Sequence, residues 1–155
     1  MCLTGWLLDQ LTALRHSSSQ PLARVYGPTT TEGRGGTITV NFIDANGKVI
    51  DHRVVEEAAS KVAISLRTGC FCNPGAGENA LGLTADELRD CFDREERMTF
   101  EQFIVAMSQK DVEAVGAVRI SLGIASNFAD VYRFMAFATT LLDAPTGEPT
   151  VQETA

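Results

Sequence analysis

Residues 37–62 read TITVNFIDANGKVIDHRVVEEAASKV, and the periodicity changes part-way along. Ile38, Val40 and Phe42 alternate with Thr37, Thr39 and Asn41, the period-two pattern of a strand with one face in a core. Asp44-Ala45-Asn46-Gly47 closes that strand, and Asn46-Gly47 is a strong turn signal. From about Asp51 to Val62 the apolar residues take helical spacing, with Val54, Val55, Ala58, Ala59 and Val62 inward. "AISLRT", residues 63–68, follows as a second strand that ends at Gly69.

The same reading extends outward. Leu3, Leu7, Leu11 and Leu14, widened by Trp6 and Leu8, predict a helix over 3–16. "HSSSQP" and "YGPTTTEGRGG" have loop compositions. Thr84 with Glu87, and Thr99 with Gln102, are two capping boxes. The second opens a helix whose apolar face is Phe100, Phe103, Ile104 and Met107. "GAVRISLGI", residues 116–124, is a third strand. Asn127 caps a final helix with Val131, Phe134, Met135, Leu141 and Leu142 as its stripe. The predicted class is α+β: a small, mostly antiparallel sheet of three to four strands flanked by helices, in one domain over 1–142. "DAPTGEPTVQETA", residues 143–155, is predicted to be a flexible tail.

A chain of 155 residues is long enough for a core without staples. A net charge of -7 with only three lysines, Lys48, Lys61 and Lys110, argues against nucleic acid and anionic membranes as partners. No run approaches the roughly 20 apolar residues of a membrane span, and the start lacks the basic segment of a signal peptide. The four cysteines, Cys2, Cys70, Cys72 and Cys91, are irregularly spaced and fit a reducing, cytoplasmic setting better than a disulfide framework.

Two of those cysteines share "RTGCFCNPG", residues 67–75. Cys-x-Cys with no second pair is poor zinc spacing, and His16 and His52 belong to other elements, so no metal is expected. A Cys70–Cys72 disulfide would close a very short, strained ring. A buried structural pair is the plain alternative. Gly69, Gly75, Gly77 and the Asn73-Pro74 turn favour a loop that projects its thiols, and Arg67 nearby favours a thiolate. No histidine is placed as a base for Cys-His hydrolysis, whereas thiol exchange needs only thiolate and access.

The loop resembles the cysteine loop of the class V aminotransferase-like (fold type I) enzymes that use pyridoxal phosphate, the cysteine desulfurases among them. In its Cys-Phe-Cys-Asn-Pro-Gly-Ala form it most resembles the molybdenum cofactor sulfurase branch. "EGRGGTITVNFID" is similar to the first strand of that family's small, C-terminal domain, "LGLT" to an insertion of the branch, and "GAVRISLGIASNFADVYRF" to the domain's last strand and helix. The resemblance implies that Cys72 accepts sulfur from a cofactor-bound cysteine and becomes a persulfide, with Cys70 as an accessory. It implies that Arg119 pairs with the α-carboxylate of L-cysteine or another amino acid substrate, a task suited to a planar fork of donors. Arg67 is a further candidate for loop support, thiol tuning or substrate contact.

None of the three lysines sits in a motif like the family's cofactor lysine. The resemblance therefore implies a partner large domain upstream that holds pyridoxal phosphate, with helix 3–16 as its connector and no cofactor bound by this chain alone. A homodimer is the family expectation for the complete enzyme. An epimerase, lyase or aminotransferase domain, and a stand-alone sulfur-carrier or interaction module, are the competing readings.

Overall fold

The computed structural model describes residues 2–69, 84, 86, 89 and 116–145. Cys70, Cys72, Cys91, Lys110, both capping boxes as pairs, the predicted helix over 100–109 and tail residues 146–155 lie outside the described residues. The chain forms two compact units, Met1–Thr68 with Ala117–Ala155, and Gly69–Gly116. In the second unit, Arg89 pairs with Asp86 one helical turn back, at 3.4 Å.

In chain order the described elements are α1 (Cys2–Ala13), β1 (Ala23–Tyr26), β2 (Thr37–Phe42), α2 (His52–Lys61), β3 (Arg67–Gly69), β4 (Ala117–Ser121) and α3 (Phe128–Thr139). The sheet order is β1-β2-β4-β3. Both pairings of the central β2 are antiparallel: Val40 faces Val25 on β1 and Val118 on β4. The predicted α+β class, with a small and mostly antiparallel sheet, is the one observed.

Alternation decides which side of the sheet is dry. Ile38, Val40 and Phe42 are fully buried, and Val118 and Ile120 lie beside them on β4. Leu7, Leu8 and Leu11 of α1, Val55, Ala58 and Ala59 of α2, and Val131, Phe134 and Ala138 of α3 join the same core. All three helices therefore pack on one face, and each fully buried Leu, Val or Phe adds about 1.5–3 kcal/mol of burial. Asp51 caps α2 by accepting from the Arg53 N–H. Asn127 caps α3 in a reciprocal box with Asp130.

Local details depart from the sequence reading. The first helix stops at Ala13, short of residue 16, because Arg15 already bridges Pro21 and the Leu14 carbonyl accepts from Leu22. Strand β1 occupies residues that carried no strand prediction. The predicted strand 63–68 narrows to Arg67–Gly69, since Ala63 turns with φ +54° after α2.

Asp143, the first residue assigned to the tail, is fixed. Its carboxylate accepts from the Ser17 N–H at 3.1 Å and the Ser17 hydroxyl at 3.0 Å. Its own N–H donates to His16 Nδ1 at 3.0 Å, while His16 Nε2 meets the Ile43 carbonyl at 2.7 Å. Nδ1 acts as an acceptor, so Nε2 carries the proton. A buried imidazole thus ties the turn after α1 to the end of β2 and the exit of α3.

Candidate functional site

The second face of the sheet is polar because the same alternation turns Thr37, Thr39 and Asn41 away from the helices. Register places Arg24 beside Asn41, Tyr26 beside Thr39, Arg119 beside Thr39 and Ser121 beside Thr37. Arg119 is therefore on this face, next to Thr39 on the central strand. Its guanidinium is exposed, and no hydrogen bond or ion pair engages it among the described residues. Thr39 is half-buried. Asn41, 2% exposed, donates its amide N–H to the Tyr26 hydroxyl at 3.1 Å.

Charge on the sheet has one sign. None of the four strands contains Asp or Glu, although the protein carries -7 overall, and their three charged residues are Arg24, Arg67 and Arg119. The strands themselves therefore supply no carboxylate to neutralise these guanidinium groups. A guanidinium can grip a carboxylate with two parallel N–H bonds.

Arg67 opens β3, the edge strand beside β4, and is exposed. It belongs to the same sheet as Arg119, one strand away. The next residue, Thr68, donates its hydroxyl to Glu56 on α2, which anchors the strand immediately before Gly69. Cys70 and Cys72 follow in sequence and lie outside the described residues.

The two histidines are used locally. His16 has both ring nitrogens engaged within the fold, and His52 Nδ1 lies 3.8 Å from Asp51. Among the described residues no group of three His, Cys, Asp or Glu side chains could hold a metal ion. Two carboxylates depart from ordinary behaviour. Hydrogen bonds from Arg53 hold Asp51 below its usual range, and the Ser17 N–H does the same for Asp143. Both belong to structural joints outside the polar face.

Pyridoxal phosphate needs a lysine and a phosphate cradle, and neither described lysine offers them. Lys61 is paired with Glu57 at 3.1 Å on the exposed side of α2, and Lys48 is exposed in the turn after β2. The described residues do not fit the cofactor.

No family model matches the chain. Among curated proteins, the molybdenum cofactor sulfurase of Oryza sativa subsp. japonica is 36% identical over 142 residues, covering 87% of this chain and 16% of that protein. That of Arabidopsis thaliana is 34% identical over 159 aligned positions, covering 96% of this chain and 18% of its own length. That of Homo sapiens is 32% identical over 130 residues, covering 82% and 14%. The chain is similar to molybdenum cofactor sulfurases. It spans roughly a sixth of the length of these relatives. No helix among the described residues is long and apolar enough to cross a membrane.

What reasoning from sequence missed is the pairing of Arg119 with Thr39. The alternation of "TITVNF" put Thr39 on the polar side, but only the β2–β4 register makes the two residues neighbours. The His16–Asp143 joint was missed as well, because it spans 127 positions.

Proposed function

We propose that this chain is the small, C-terminal domain of a pyridoxal-phosphate-dependent cysteine desulfurase-like enzyme of the molybdenum cofactor sulfurase kind. The observation that carries the reading is the similarity to the rice sulfurase, which extends over 87% of the chain. An exposed arginine that has no partner among the described residues, on strands without Asp or Glu, supports it.

In this reading Arg119 binds the α-carboxylate of L-cysteine and sets the substrate's orientation. Arg67, on the neighbouring edge strand, supports the root of the thiol-bearing segment. Cys72 is the sulfur acceptor and Cys70 its accessory. The Cys72 thiolate attacks the substrate's sulfur, so an S–S bond forms as the substrate's C–S bond breaks. The electron pair stays on the carbon fragment, which takes up a proton and leaves as alanine, while Cys72 keeps the sulfur as a persulfide. Pyridoxal phosphate, held by a partner domain outside these residues, would supply the stabilisation that such carbanion chemistry needs. The complete enzyme is a cytoplasmic homodimer in this reading.

The test joins the chain to its cofactor-binding domain and follows alanine and sulfide production from L-cysteine with a thiol reductant present, which releases the persulfide's outer sulfur as sulfide. Cys72→Ala is expected to abolish sulfur transfer. Arg119→Gln is expected to raise KM by about tenfold or more, the scale of losing a charge-assisted hydrogen bond. Full turnover by Cys72→Ala would overturn the persulfide role.

A further inference from the structure

We propose that Thr39 is a second carboxylate-binding residue, and that Arg119 and Thr39 together form an anion cradle complete within this chain. The inference rests on the reading of Arg119 as the carboxylate arginine and adds a contact to it.

Three observations converge on Thr39. It is the direct cross-strand partner of Arg119, so both side chains leave the same face; such pairs sit about 4.5–5.5 Å apart at Cβ. It lies on the central strand, held between β1 and β4, and a β-branched side chain there has few rotamers. Its hydroxyl, like the Arg119 guanidinium, has no hydrogen-bond partner among the described residues.

The chemistry of a carboxylate fits this pair. Its two oxygens offer about four lone-pair sites, and a bidentate guanidinium occupies two. A hydroxyl fixed beside the guanidinium can donate to a third. The pair is thus a mobile fork next to a rigid donor, on a sheet whose strands hold no competing carboxylate. Tyr26 borders Thr39 on its other side, which bounds the cradle along the row.

The experiment uses the 155-residue chain in solution. Backbone and Arg119 Nε–H resonances are titrated at constant ionic strength with L-alanine, which carries an α-carboxylate and no thiol, and with ethylamine, which lacks the carboxylate. L-Alanine is expected to give saturable shifts centred on Thr39 and Arg119, and ethylamine none. Thr39→Val, nearly the same shape without the hydroxyl, is expected to weaken binding about tenfold. Thr39→Ser is expected to restore it, and Arg119→Gln to abolish it. Unchanged amide spectra elsewhere confirm that the variants fold. If Thr39→Val titrates like the parent while Arg119→Gln does not bind, the Thr39 contact is wrong and the Arg119 reading stands. If Arg119→Gln binds like the parent, both fall. If the parent shows no saturable shift, the cradle is not complete in this chain, and the kinetic test of Arg119 still decides the other reading.

Discussion

Replacing His16 by Ala is the sharpest perturbation of the fold itself. The imidazole is fully buried and answers two backbone groups that no helix or strand ladder satisfies: the Ile43 carbonyl at 2.7 Å and the Asp143 N–H at 3.0 Å. Truncation leaves both without a partner. Each orphaned group costs about 1–3 kcal/mol, so the two together cost about 2–5 kcal/mol once partial access of water to Asp143 is allowed. For a chain of this size that corresponds to a fall in Tm of roughly 5–15 °C. Thermal unfolding followed by circular dichroism reads it directly. A shift below about 2 °C would refute the reasoning, because it would mean that neither group depends on the imidazole. The same variant should increase hydrogen exchange at the Asp143 amide.

Three further outcomes are expected. Gly36→Ala would bring a Cβ to 2.5 Å from the Leu122 carbonyl oxygen, where the Gly36 carbonyl already accepts from Leu122, and a loss of about 1–3 kcal/mol in urea denaturation should follow. An unchanged midpoint would show that the strand ends yield. Asn127→Ala removes the capping oxygen from the Ala129 and Asp130 amides, at a cost of about 1 kcal/mol by the same assay, whereas Asn127→Gly should cost only a few tenths. Asp51 and Asp143 bind protons less tightly folded than unfolded, so their stabilisation is present above the ordinary value of 3.8 and is lost as pH falls through their lowered values. Asp143→Asn should therefore flatten the acid limb of a stability–pH profile, and a parallel limb would argue against the Ser17 joint.

Particular elements show how much of this was legible in advance. "TITVNF" announced its strand because the alternation is strict and the Asp-Ala-Asn-Gly turn ends it. Strand β1 did not, since Ala23–Tyr26 is four residues long with Arg24 inside it and loop-formers on either side. The helical period of α1 ran on through Leu14, but the return of the chain at Pro21 ends the helix first. Periodicity states that α1, α2 and α3 each have an apolar side. It does not state that all three share one face of the sheet, which is what leaves Arg119 and Thr39 on the other.

For the site, the residue type was legible and the neighbourhood was not. The resemblance marks Arg119 as a carboxylate arginine, and the fold places it exposed on a strand without acids. Its pairing with Thr39 depends on register and topology that no local pattern encodes.

The central claim is that Cys72 receives sulfur. The direct measurement incubates the chain, joined to its cofactor-binding domain, with L-cysteine, alkylates it rapidly, and reads the peptide containing residues 70–75 by fragmentation mass spectrometry. The account predicts one additional sulfur atom on Cys72, dependent on Arg119. Turnover of L-cysteine with Cys72 unmodified at every time point would contradict it.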